Sequence, residues 1–301
     1  IIFALGGNEI SPVEVDPITG KLINQDLRSQ WSRTARTCEI LADFIKENQN
    51  FSYIITHGNG PQIGNILLRS EYSSKQLFPL PLDVCGADSQ GALGYMLAQL
   101  SNSLSVRGLG INTAEIITQV IVDPNDLAFQ NPNKFIGPPL TKKEATQLMN
   151  ENPEYSAKFY KNAENTESKS HRAHSLNKNG PLEIWRRVVP SPKPIGIVEI
   201  DMIEACYLSG HIPITVGGGG IPVVKVSPKK IKNHETYECN YDISYKREVS
   251  KGESQAQIFK GIEGVIDKDL SSSLLAKMIL ERSISRGNQI EVELVILTNV
   301  D

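Results

Sequence analysis

Short apolar runs alternate along the chain with longer stretches in which apolar residues recur every three or four positions. Residues 1–5 form one continuous apolar run that ends at Gly6-Gly7, the pattern of a parallel strand buried on both faces. Cys38, Leu41, Ala42 and Ile45 fall at i, i+3, i+4 and i+7 and predict an amphipathic helix. A short strand is expected over 52–56, running into His57-Gly58-Asn59-Gly60. A helix should follow near Pro61, a residue suited to a first helical turn. The pattern then predicts a helix starting around Ser89, with Leu93, Tyr95, Met96 and Leu97, and a single strand over 114–122. The second half repeats this order. Ile200, Ile203 and Tyr207 mark a helix, and 212–216 a strand ending in Gly217-Gly218-Gly219-Gly220. Leu274, Leu275, Met278 and Ile279 mark another helix, and 291–297 a last strand. Such alternation predicts a parallel or mostly parallel sheet covered on both faces.

Two stretches break the pattern. Residues 150–180 and 227–254 are polar, with few large apolar side chains, and read as surface excursions from the core. No repeat of fixed period is present. With 301 residues the chain can bury a sizeable core. The formal net charge of −3 and the lack of a basic stripe argue against nucleic-acid binding. No apolar run approaches the roughly 18 residues of a membrane span. Cys38, Cys85, Cys206 and Cys239 are far apart and form no C-x-x-C pair, so neither a disulfide framework nor a zinc site is expected. Cys38 and Cys206 fall in apolar helical patterns, where packing is the expected role. A reducing, cytoplasmic setting is the default. The chain begins at Ile1 without an initiator Met, which leaves an organellar targeting peptide open.

The candidate chemistry lies in the glycine turns. In an open parallel sheet, ligands bind beyond the carboxyl ends of the strands. Gly6-Gly7-Asn8, Gly58-Asn59-Gly60 and Gly217 to Gly220 all follow strand patterns. Any one of them could be only a tight turn. Three together favour a phosphate cradle of backbone N–H groups. The P-loop and G-x-G-x-x-G fingerprints are absent, as are the H-R-D and D-F-G stretches of protein kinases. Lys268 stands between Asp267 and Asp269 ahead of a helix, and Lys134 follows Asn131-Pro132-Asn133. Flanking carboxylates keep a lysine charged and placed, although an exposed pair would contribute little. Asp269 is also a candidate N-cap for the helix at Leu270.

At these residues the chain resembles the carbamate kinases. The resemblance rests on Ala4-Leu5-Gly6-Gly7-Asn8, Thr56-His57-Gly58-Asn59-Gly60-Pro61-Gln62, Ser89-Gln90-Gly91, Thr118-Gln119-Val120 and Gly137-Pro138. It continues through Trp185-Arg186-Arg187-Val188-Val189-Pro190-Ser191-Pro192, Gly217 to Pro222, Gly264-Val265-Ile266-Asp267-Lys268-Asp269-Leu270 and Leu297-Thr298. These stretches occur in the family's order and cover nearly the whole chain outside the two polar segments.

The resemblance implies a three-layer α/β/α sandwich on a mainly parallel central sheet, the amino-acid-kinase fold, as one domain over 1–301. It also implies a protruding lid subdomain over 129–188. The implied reaction is reversible phosphoryl transfer between ATP and carbamate, giving ADP and carbamoyl phosphate, typically run toward ATP in arginine catabolism. The implied cofactor is Mg²⁺, held mainly by the nucleotide phosphates, with no metal site of the protein's own. The implied assembly is a homodimer, without a nucleic-acid or membrane partner.

Transferred residue by residue, the resemblance assigns Gly6, Gly7, Asn8, Gly58, Asn59 and Gly60 to the phosphoryl and carbamoyl groups. Ser89 and Gln90 fall on the carbamate side, opening a helix there. Lys134 reaches in from the lid. Lys268 bridges toward the nucleotide phosphates and is oriented by Asp267. Gly218, Gly219, Gly220, Ile221, Pro222, Thr298 and Asp301 line the nucleotide side. The family is expected to continue beyond Asp301, through a segment that supplies further strands, much of the adenine pocket and another lysine. Two rivals stay open from the sequence: another amino-acid kinase, and a non-catalytic homologue acting as a binding or dimerisation module. A dinucleotide-dependent dehydrogenase is disfavoured by the missing fingerprint.

Overall fold

The computed structural model describes residues 1–7, 14–15, 22–23, 27–152, 155–162, 183–226, 229–231, 234–238, 244–248 and 258–297. In chain order the elements begin with β1 (Ile2–Leu5), β2 (Glu14–Val15), β3 (Leu22–Ile23), α1 (Leu27–Glu47), β4 (Ile54–His57), α2 (Gln62–Ser73), α3 (Leu82–Leu97) and α4 (Leu100–Val106). They continue with β5 (Thr113–Ile116), β6 (Gln119–Val122), β7 (Lys134–Thr141), α5 (Lys142–Glu151), β8 (Ala157–Asn162), β9 (Glu183–Val189), β10 (Pro194–Ile197) and α6 (Ile200–Leu208). The last are β11 (Ile212–Thr215), β12 (Ile221–Val226), β13 (Lys229–Ile231), β14 (His234–Glu238), β15 (Ser244–Glu248), β16 (Ile258–Gly261), α7 (Lys268–Ser285) and β17 (Leu294–Leu297).

Five strands form the central sheet in the order β17-β1-β4-β11-β5, every neighbour parallel. Its strands are apolar on both sides because both sides are covered. Phe3, Leu5, Ile55 and Ile214 pack against Cys38, Leu41, Leu93 and Leu104 of α1, α3 and α4. Ile2 and Ile54 point the other way, onto Ile203, Leu275 and Ile279 of α6 and α7. That gives the α/β/α layering of the amino-acid-kinase fold. A second, mixed sheet runs β10-β6-β12-β16, with β6 and β12 parallel and both outer pairings antiparallel.

Within residues 129–188, β7, β9 and β8 form an antiparallel sheet in that order, with α5 against it. Its base meets the body in a small apolar cluster: Ile63 and Leu67 of α2, Leu82 and Cys85 of α3, Ile136 and Val189 of the sheet, and Val265. The polar stretch 150–180 thus contributes β8, while 163–180 lie outside the described residues. The other polar stretch contains the antiparallel meander β13-β14-β15, a sheet of its own. The segment 283–289 is the last turn of α7 and a turn at Gly287, closed by the Asn288 N–H donating to the Ser283 carbonyl at 3.0 Å.

Three sequence expectations are corrected. The single strand over 114–122 is two strands in two different sheets. The chain crosses between them at Thr118, whose backbone N–H and C=O are both taken by the Gln90 amide at 2.8 and 3.2 Å. A run rich in β-branched residues, interrupted at Gln119 alone after Ile116, satisfies either sheet equally, so the break leaves little trace in the pattern. The helix expected to open at Ser89 starts at Leu82 instead, after an extended Pro81. Gly86, Asp88 and Gly91 dilute the apolar period of its first turns, so Ser89 and Gln90 lie mid-helix. The N-cap of α7 is Asp267 rather than Asp269. Its carboxylate accepts from the N–H groups of Asp269 and Leu270 at 2.9 and 3.3 Å.

Candidate active site

Because β1, β4 and β11 are adjacent and parallel, their carboxyl ends deliver the three glycine turns to one edge of the sheet. A cavity of about 290 Å³ opens there, lined by Gly6, Gly7, Gly58, Asn59, Gly60 and Gly218 together with Lys134, Asp267, Lys268 and Asp269. The floor is backbone packed on backbone. A Cβ on Gly7 would lie 2.5 Å from the nitrogen of Gly60, so only glycine allows the first two turns to touch. Asn59 is held from below, where the Ser89 hydroxyl donates to its Oδ1 at 2.5 Å. The α7 N-terminus also faces the cavity through Lys268 and Asp269, adding a partial positive charge of roughly half a unit. That end is tied to the floor by Ser271, which donates to the Gly219 carbonyl, and by Ser272, which bonds Thr56, both at 2.7 Å.

Two ammonium groups line the cavity from different elements. Lys134, the first residue of β7, donates to the Ile266 carbonyl at 3.1 Å and pairs with Asp267 at 3.4 Å. Burial lowers its pKa below that of a free lysine, and Asp267 works against that shift. Burial tends to raise the pKa of Asp267, but Lys134 and the two capped amides outweigh it and hold the carboxyl below its ordinary range. Lys268 pairs with Asp269 through a short contact, its stem running beside Gly58. The two carboxylates are therefore divided between the lysines: Asp269 orients Lys268, and Asp267, expected to do so, holds Lys134.

The other expected residues fall elsewhere. The Gln90 side chain is spent on Thr118 and does not line the cavity. Gly219 and Gly220 are buried behind the floor, and Ile221 and Pro222 open β12 away from it. Asn8, Thr298 and Asp301 lie outside the described residues.

No protein-family model matches the chain. It is 35% identical to the carbamate kinase of Latilactobacillus sakei over 281 residues, which are 93% of this chain and 70% of that protein. It is also 35% identical to the carbamate kinase of Thermococcus kodakarensis, over 93% of this chain and 71% of that one. Among solved structures, carbamate kinase from Giardia lamblia bound to AMP-PNP matches at 30% identity with a TM-score of 0.65. That match covers 99% of this chain and 73% of the other.

The chain belongs to the carbamate kinase family. It is a kinase, a transferase of phosphoryl groups. Among the described residues no helix is long and apolar enough to cross a membrane, and no group of three or more His, Cys, Asp or Glu side chains could hold a metal ion. Outside the residues that line the cavity lies a pair that the sequence reading passed over. His57 Nε2 sits 3.9 Å from Glu115 Oε2, both groups buried and without a hydrogen-bond partner at those atoms. Despite the spacing this is not an ion pair at neutral pH. Burial pushes Glu115 up to about 9 and His57 down to about 4, so both are uncharged. A lone Glu in the β5 pattern, Thr113-Ala114-Glu115-Ile116, was the signal available. Gln62 was missed likewise. Its amide is buried against Gly60 with no partner.

Proposed function

We propose that the chain catalyses reversible phosphoryl transfer between carbamoyl phosphate and ADP, giving carbamate and ATP. One observation carries the reading: two lysines from different parts of the fold reach a single cavity floored by glycine amides. Such a pocket suits a transferring phosphoryl group, its charge spread over three oxygens, flanked by a second phosphate and a carbamate. Carbamate is already an anion, so no general base has to activate it. The residues act by placing the reactants and neutralising charge. Amides of Gly7 and Gly60 cradle the transferring phosphoryl and the carbamoyl group, while Gly58, whose N–H stays with the Leu5 carbonyl at 3.0 Å, keeps the floor free of side chains, and Asn59, braced by Ser89, orients them. Lys268, held by Asp269, meets the nucleotide phosphates. Lys134, held by Asp267, meets the transferring group from the lid side.

Mg²⁺ would be held chiefly by the nucleotide phosphates, since the cavity's two carboxylates, Asp267 and Asp269, are already paired with lysines. It supplies further charge neutralisation at the phosphates. Carbamoyl phosphate is a mixed anhydride, and its transfer to ADP is the downhill direction, which supports an ATP-forming role in arginine breakdown. Exposed Leu27, Ile40, Tyr95 and Val106 on α1, α3 and α4 support a homodimer through that side. Light scattering would then give twice the 33.2 kDa chain mass.

The test is ATP formation by the purified chain from carbamoyl phosphate, ADP and Mg²⁺, beside acetyl phosphate and aspartyl phosphate as alternative donors. Turnover only with carbamoyl phosphate is expected. Nucleotide binding by calorimetry without turnover on any donor would identify a non-catalytic homologue instead.

A further inference from the structure

The lid sheet touches the body along α2, and the closest approach is a glycine–glycine crossing. Gly64, the third residue of α2, is buried against Gly137 of β7. A Cβ built on Gly64 would lie 2.3 Å from the Gly137 nitrogen and 2.4 Å from its Cα. Both neighbours are backbone, so no side-chain rotation relieves the overlap and the strand itself must retreat. Restoring ordinary contact, 3.4 Å or more, displaces β7 by about 1 Å. Gly137 sits at the bulge of β7, between Ile136 and Leu140, with φ +69, and its carbonyl accepts from Nε and Nη2 of Arg186 at 3.1 and 2.8 Å. About two turns further along α2, Glu71 pairs with Arg187 of β9, whose guanidinium stacks 4.7 Å from the Tyr155 ring. The strand seated on Gly64 is the one that begins with Lys134, three residues earlier.

We propose that Gly64 is a positioning residue for the transfer reaction. Its missing side chain lets β7 seat on α2 at the depth that brings Lys134 into the cavity, and the Glu71–Arg187–Tyr155 contact holds the sheet at that seat. α2 thereby links the floor and the lid, because its amino end follows the Gly58–Gly60 turn directly. The inference rests on the role given to Lys134 above.

The experiment compares Gly64→Ala, Arg187→Lys and Lys134→Ala in the full chain. It reads kcat, KM for ADP, thermal melting, and the acetylation rate of Lys134 by N-hydroxysuccinimidyl acetate, followed by peptide mass spectrometry. Gly64→Ala should lower kcat roughly 100-fold, the scale of a 1 Å misplacement, with KM for ADP changed by less than about threefold. Lys134 acetylation should speed up at least about fivefold as the ammonium leaves Ile266 and Asp267. Alanine is a better helix former than glycine, so α2 itself is not weakened. If the variant still melts without cooperativity, Arg187→Lys, which keeps the charge but loses the planar stack, decides by the same two readouts, with about a five-fold fall in kcat expected. Unchanged kcat, or lost kcat with unchanged Lys134 acetylation, overturns the proposal. Wild-type turnover in Lys134→Ala would reject the role of the lysine instead, while acetylation would still report whether Gly64 places it.

Discussion

The floor of the cavity and its lid solve the same electrostatic problem with different materials. The floor is three strand ends of one parallel sheet, each strand buried on both faces and locked in register by its neighbours. It offers fixed amide dipoles that need no reorganisation when charge develops. The proposed lid is a three-stranded antiparallel sheet with exposed Phe159 and Tyr160, joined to the body by a small apolar cluster, the Gly64–Gly137 crossing and a few ion pairs. It offers a full charge, Lys134, on a flexible stem at the start of a strand. Permanent partial charges sit on strand ends fixed by the parallel sheet, and this full charge sits on a separate antiparallel sheet. The comparison teaches that the two regions should fail differently when perturbed.

The largest effect is expected at the rigid side. Lys268→Ala removes a full charge from the α7 terminus and should lower kcat by about 10³-fold or more, with the melting transition retained. A rate near wild type would remove Lys268 from the chemistry. Lys134→Ala should lower kcat by roughly 10²-fold with little change in nucleotide affinity by calorimetry. A loss of ADP binding as large as the loss of kcat would mean that the lid serves the nucleotide as much as the transfer.

A smaller effect follows from the brace under the floor. Ser89→Ala leaves Asn59 Oδ1 without its 2.5 Å donor, and a hydrogen bond contributes about 0.5–1.5 kcal/mol. A fall of about tenfold in kcat/KM for carbamoyl phosphate is expected, and an unchanged value would make Ser89 a packing residue only.

The smallest effect on turnover, and the sharpest on stability, belongs to Glu115. Its carboxyl is held protonated up to about 9, against an ordinary value of 4.5. The folded chain therefore binds a proton that the unfolded chain releases, and stability falls as pH rises through that window. His57, depressed to about 4 from 6.5, acts oppositely: its contribution is lost as pH falls from 6.5 toward 4. Above pH 6.5 only Glu115 of this pair acts. The melting temperature should therefore drop between pH 6.5 and 9, and Glu115→Gln should flatten that slope. A slope unchanged in the variant would show that Glu115 is ionised in the folded protein.

The fold class and the three glycine turns were legible in the chain, because strands buried on both faces write continuous apolar runs and helices write a 3.6-residue period. The ends of β1 and β4, the packing face of α1 and both lysines of the cavity follow from those patterns and the motifs at their edges. The tertiary structure alone decided which glycine turns are neighbours, that 114–122 divides between two sheets, and which aspartate serves which lysine. It also decided that Ser89 braces Asn59 from mid-helix while Gln90 stays with Thr118, and that Gly64 meets Gly137 across 73 positions of sequence. The physical reason is range. Periodicity records what a residue needs from its own element, whereas pairing, bracing and close approach depend on atoms brought together only when the sheet is assembled.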